Sequence, residues 1–175
     1  MKRNVLLHAT LGKAVLSDFG SAIRGDEKRN HDAQPDVYRS PEVMLKVDWS
    51  YPVDIWDVGA MVWNLTEGKH LFYRNDPDRK GYSTYALLAE VMGILGPPPS
   101  DLIKRGVGSH EFFTEDNQWK AEVETPQNTS LEKSEEYLDG ENKEMFLRFM
   151  RGVLQWRPVH RKTARELLED PWLNS

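Results

Sequence analysis

Residues 54–68 read DIWDVGAMVWNLTEG. Ile55, Val58, Met61, Val62 and Leu65 recur at helical spacing, and Gly68 follows as a stop. The spacing predicts a helix over Asp54 to Glu67, apolar enough to sit at the centre of the fold, with Met61 and Leu65 among its core residues.

Downstream, Ser83 to Leu95 is predicted as a second helix, with Leu88, Val91, Met92 and Leu95 on one face and the GPPP run at 96–99 ending it. Residues 97 to about 140 are irregular and polar, so mostly loop is expected there. The acidic stretch Glu132 to Glu144 reads as a solvated face. Lys143 to Gln155 is predicted as a third helix with Phe146, Phe149, Met150 and Val153 inward. Thr163 to Glu169 is a fourth, with Thr163 and Glu166 in a capping-box pattern. Upstream, SPEVML starts a short helix with Ser40 as cap and Pro41 at the first helical position. Gly20 to Pro35 is loop-like, and Asn4 to Leu16 reads as a β-hairpin turning at Gly12. The expected class is α+β, mainly α-helical, with one short hairpin at the N-terminal edge.

The 175 residues fit one domain or a large part of one. An apolar fraction of 39%, with six each of Trp, Tyr and Phe, belongs to a packed core rather than a disordered tail. A net charge of -5 argues against non-specific nucleic-acid binding. With no Cys, disulfides, thiolate zinc sites and Cys nucleophiles are excluded. No apolar run spans a membrane and no signal-peptide core is present, so a cytoplasmic or nuclear location is expected and the Asn64 and Asn128 glycosylation patterns are discounted. His70, His110 and His160 lack metal-ligand spacing.

One constellation points to chemistry. Asp18, Phe19 and Gly20 follow a short apolar run. A carboxylate at a strand end beside a flexible glycine can present its oxygens to a hard cation, and magnesium takes one or two protein carboxylates with phosphate and water completing its shell. A hairpin would bring Asn4 and Asp18 to the same end, a two-ligand metal platform, with Phe19 pointing inward to fix the turn.

DFG at Asp18 to Gly20 resembles the magnesium-binding motif of protein kinases. YRSPEV from Tyr38 is similar to the end of their activation segment, with Ser40 where Ala is usual. DIWDVG resembles the motif of the central kinase helix, RPVHRKTARELLEDPWL the closing helix, and NVLL from Asn4 the end of the catalytic loop. The five occur in family order. Tyr38-Arg39 and MGILGPPP resemble the CMGC group, and DFGSA with QPDVYRSPEV is most similar to fungal relatives of SR-protein kinases.

The resemblance implies a protein-kinase-like C-lobe over residues 1–175, a partial domain without the N-lobe. It implies phosphoryl transfer from Mg-ATP to Ser or Thr of a protein substrate, Ser/Arg-rich segments being among the candidates, with no nucleic-acid or membrane partner. Asn4 and Asp18 would hold magnesium. Leu6 would floor the adenine pocket, and Ser17 and Asp18 would belong to the nucleotide site. Gly20 to Glu42 would form the activation and substrate loop, with Tyr38, Arg39, Ser40, Pro41 and Glu42 at its end; Arg39 is otherwise a solvated charge. Phe19, Asp54, Trp56, Gly59 and Arg161 would be structural. Asp54 would accept backbone N–H groups of the catalytic loop, or else cap its helix after Pro52. Glu42 and Arg161 would form a buried pair, or else be separate surface charges. The family's catalytic base, an Asp five residues before the metal-binding Asn, has no counterpart, because counting back from Asn4 passes Met1. No catalytic base is therefore assigned, and the chain alone is expected to be inactive. The alternative is a non-catalytic, kinase-like binding or regulatory module.

Overall fold

The computed structural model describes residues 15–73, 83–120 and 123–175. Its α-helices follow as α1 (Pro41–Met44), α2 (Pro52–Glu67), α3 (Thr84–Leu95), α4 (Ser100–Arg105), α5 (Leu131–Ser134), α6 (Gly140–Val153) and α7 (Ala164–Leu168). Among the described residues, β structure is confined to two isolated antiparallel bridges, Arg29 with Trp49 and Phe113 with Trp119. The fold is mainly helical. No described helix is long and apolar enough to cross a membrane. The predicted hairpin lies outside the described residues apart from Val15 and Leu16, which are exposed and without regular structure.

Pro52 starts α2, where its missing N–H costs nothing, and Gly68 ends it at φ 65, donating to Asn64 O at 2.9 Å. The helix buries Val53, Trp56, Gly59, Ala60, Trp63 and Glu67. That is not the expected face. Met61 is 46% exposed and Leu65 77% exposed, so neither belongs to the core. The two indoles carry the larger apolar surface. Gly59 settles the crossing: a Cβ there would sit 2.7 Å from Val153 Cγ2 on α6, so only glycine permits this approach.

α6 presents Phe146, Leu147, Phe149, Met150 and Val153 to that face. Trp63 and Phe146 rings lie 5.6 Å apart, and Trp172 closes the other side of Phe146 at 4.9 Å. α3, capped by Ser83 Oγ accepting from Ala86 N at 3.3 Å, adds Leu87, Leu88, Val91 and Met92 to the same core. A smaller core joins Val43, Trp49 and Val53 with Ala33. α7 carries its capping box: Thr163 N donates to Glu166 Oε2 at 2.7 Å, and Glu166 N to Thr163 Oγ1 at 3.3 Å.

One local expectation holds and one is corrected. The stretch from 97 to about 140 is mostly loop among its described residues, as expected, and contains α4, a 3-10 turn at Ser109–Glu111 and α5. α4 has only Leu102 and Ile103 buried, too short an apolar pair to register as a period. Within the acidic stretch, Glu135 is buried, because Lys143 pairs with it at 2.5 Å and the N–H groups of Tyr137 and Leu138 donate to it.

Candidate functional site

Asp18 has φ 62 and ψ 57, in the left-handed region, and leads a 3-10 turn at Phe19–Ser21 in which Ala22 N donates to Phe19 O at 3.0 Å. Aspartate tolerates this conformation better than most residues. Ser17, Asp18 and Gly20 are exposed, which leaves the carboxylate open to solvent. Phe19 is 63% exposed, not the inward anchor expected of it, because the turn buries no residue. An open carboxylate is the ligand type magnesium takes, and Asp18 fits that role as one donor. Among the described residues, no group of three or more His, Cys, Asp or Glu could hold a metal. Asn4 and Leu6 lie outside the described residues.

The loop after Asp18 is fastened to the entry of α2. Ser50 Oγ donates to Gly25 O at 2.5 Å. Trp49 N donates to Arg29 O at 2.7 Å, and its indole Nε1 to His31 O at 2.9 Å. Gln34, at φ 67, donates from Nε2 to Val53 O (3.0 Å) and Asp57 Oδ1 (2.9 Å). Its Oε1 accepts from Ser40 N and from Ser40 Oγ, both at 2.9 Å. Ser40 therefore precedes α1 as expected, but its hydroxyl makes no cap bond, being engaged by Gln34. Tyr38 accepts from Asn64 Nδ2 at 3.2 Å and meets the His70 ring edge-on. Arg39 pairs with Asp36 at 2.9 Å.

Glu42 and Arg161 are brought together. Nη1 and Nη2 of Arg161 each donate to one Glu42 oxygen at 2.6 Å, and both side chains are fully buried. Arg161 also donates to Gln155 O (3.0 Å) and Pro52 O (2.9 Å), and its guanidinium lies 5.1 Å from the Trp56 ring centroid. Trp56 in turn stacks on Phe72 at 5.9 Å. This geometry excludes the reading of two surface charges. Asp54 lies in the first turn of α2 and is exposed; Tyr51 holds the cap position, so Asp54 is not the cap.

Burial raises the carboxyl of Asp54, and it acts more strongly on Asp57, one turn further along α2. Burial pushes its carboxyl up to about 7, helped by the negative charge of Asp54; the Gln34 N–H and Arg161 pull the other way. The folded value exceeds the ordinary 3.8, so this group stabilises the fold fully below about pH 4, and that contribution is lost as pH rises to about 7. Asp57→Asn removes the ionisation while keeping an acceptor for Gln34. Relative to the parent chain, it is expected to be about 2–3 kcal/mol more stabilising at pH 8 than at pH 5, two pH units below the carboxyl value being worth about 1.4 kcal/mol each. Urea melts at the two pH values measure this; an equal effect at both would remove the ionisation account.

Sequence reasoning did not single out Gln34, Asp57 or Asn64. A lone carboxamide in a polar loop has no periodic or spacing signature, and its partners lie 6, 19 and 23 residues away.

Comparison with known proteins bears on this arrangement. The family model described as the protein kinase domain matches residues 2–173. A serine/threonine protein kinase of Aspergillus fumigatus is 48% identical over 164 residues, covering 93% of this chain and 40% of the relative. The probable serine/threonine-protein kinase sky1 of Dictyostelium discoideum is 31% identical over 172 residues, covering 92% of this chain and 25% of the relative. The human dual specificity protein kinase CLK2 is 28% identical over 159 residues, covering 89% of this chain and 30% of the relative. The sky1 and CLK2 relatives are of CMGC type. The chain thus spans well under half the length of the relatives it matches.

Proposed function

The chain belongs to the protein kinase family, and from that premise we propose that it supplies the metal-binding and substrate-seating part of a serine/threonine kinase that transfers the γ-phosphoryl group of ATP to a protein hydroxyl. The observation that carries this reading is the buried Glu42–Arg161 pair. It anchors the end of the loop that begins at Asp18, so one continuous segment links a solvent-open carboxylate to a rigid seat for a substrate backbone.

The roles follow from the chain's own groups. Asp18, with Asn4, would hold magnesium; when bound, that ion neutralises charge on the nucleotide phosphates. Leu6 and Ser17 would flank the nucleotide. Tyr38 to Glu42 would orient the acceptor segment, a Ser/Arg-rich one being among the candidates. Phosphoryl transfer depends on positioning and charge stabilisation more than on covalent chemistry, so a fixed loop is what this part of a kinase must contribute.

The test is transfer of labelled γ-phosphate to Ser/Arg-rich and control Ser/Thr peptides by the longest protein the gene encodes, beside its Asp18→Ala variant. Transfer lost in the variant supports the reading. Equal transfer in both removes Asp18 from the metal site, and no transfer by the parent protein favours a binding module. The 175-residue chain alone is expected to give no detectable transfer, since its sequence holds no Asp five residues ahead of Asn4 and no Gly-rich loop.

A further inference from the structure

The carboxamide of Gln34 has no unused hydrogen-bonding position. A side-chain amide offers two N–H donors and an oxygen with two lone pairs. Here the donors meet Val53 O and Asp57 Oδ1, and the oxygen meets Ser40 N and Ser40 Oγ. The orientation is fixed by its partners, because Val53 O can only accept and Ser40 N can only donate. Glutamate would lack the donors, lysine would lack the acceptor, and asparagine would fall short by one methylene. Gln34 itself is held at φ 67, away from the conformation a non-glycine residue prefers, so the bonds over-determine its place.

The four partners lie on two elements. Val53 and Asp57 belong to α2, and Ser40 directly precedes α1, where Glu42 meets Arg161. The earlier part of the loop is tied down separately, by Gly25 to Ser50 and by Arg29 and His31 to Trp49. What Gln34 governs is therefore the short stretch from Pro35 to Ser40.

We propose that Gln34 is a positioning residue for the protein substrate, its carboxamide setting the register of the Tyr38–Ser40 stretch against the start of α2. This rests on the phosphoryl-transfer reading above. Gln34 touches neither nucleotide nor phosphate in that reading; it acts through Ser40.

Two measurements test it. The first uses the 175-residue chain and amide hydrogen exchange. In Gln34→Ala the Ser40 amide is expected to exchange at least about tenfold faster, while the amides of α6 keep their protection. Gln34→Glu at pH 8 should match the alanine variant, because it sets a carboxylate against Asp57, on which Asp54 and Glu42 already act unfavourably and Arg161 favourably. At pH 5.5 the two carboxyl groups can share a proton, and Ser40 protection should partly return. A merely space-filling side chain would show no such recovery. Unchanged Ser40 exchange in Gln34→Ala overturns the proposal.

The second uses the longest protein the gene encodes. Gln34→Ala should raise KM for the peptide about tenfold and leave KM for ATP within twofold. A loosened Ser40 with an unchanged peptide KM overturns the substrate role. Absence of turnover in the parent protein sinks the phosphoryl-transfer reading and the substrate role with it, and Ser40 exchange still decides whether the amide holds the loop.

Discussion

Arg161→Ala is expected to cost the fold about 3–5 kcal/mol, because it leaves the Glu42 carboxylate buried without its countercharge. The side chain also supplies donors to Gln155 O and Pro52 O, and both bonds are lost in the variant. For a chain of this size the loss corresponds to a melting midpoint lower by roughly 6–20 °C. The cost measures the broken pair, not its net worth, since replacing both partners by apolar residues of similar shape is often far less damaging. A double variant, Glu42→Leu with Arg161→Met, should therefore recover part of the loss. Lys133→Ala, at an exposed position, is the control. An Arg161→Ala midpoint matching that control would contradict the buried pair.

The second large effect is on the buried face of α2. Trp63 is fully buried against Phe146, and Trp63→Ala is expected to cost about 3–5 kcal/mol through lost transfer energy and the cavity left behind. The lower end is the better expectation, because the Trp63 indole N–H has no acceptor among the described residues and its removal relieves a desolvated donor. Leu65→Ala, two positions on, is expected to stay within about 0.5 kcal/mol of the parent chain, as a surface change does. Thermal melts of the two variants compare the faces directly. Equal losses would mean that Leu65 is as buried as Trp63.

This contrast marks where sequence ceased to suffice. α6 and α7 could be read locally: Phe146, Phe149, Met150 and Val153 repeat at helical spacing against a polar background, and the Thr163–Glu166 box lies within one turn. α2 offered two apolar stripes, one through Ile55, Val58, Met61, Val62 and Leu65, the other through Val53, Trp56, Ala60 and Trp63. The choice between them depends on Gly59, where an added Cβ would meet Val153 at 2.7 Å, and that closeness is a property of the partner helix rather than of α2. The same holds for charge. Glu135 reads as one more carboxylate in an acidic run until Lys143 is found beside it.

The candidate site divides likewise. Short motifs brought Asp18 and Tyr38 to Glu42 to notice, and the pairing of Glu42 with Arg161 came from family resemblance, no local rule joining residues so distant. Phe19 was misjudged because a motif names a residue and not what covers it. Gln34 entered only as the first letter of QPDVYRSPEV, with no role of its own, because its meaning lies in the partners that four hydrogen bonds select.

The separation of 119 residues between Glu42 and Arg161 also has a meaning in time. A ribosome extends a chain at about 5–20 residues per second, so Glu42 is made roughly 6–24 seconds before its partner. Throughout that interval Glu42 lacks the guanidinium that compensates its burial, so the final packing of α1 waits for Arg161. The segment that carries Arg161, made after the whole of α2 and α6, is thus the one that lets the stretch around Glu42 settle.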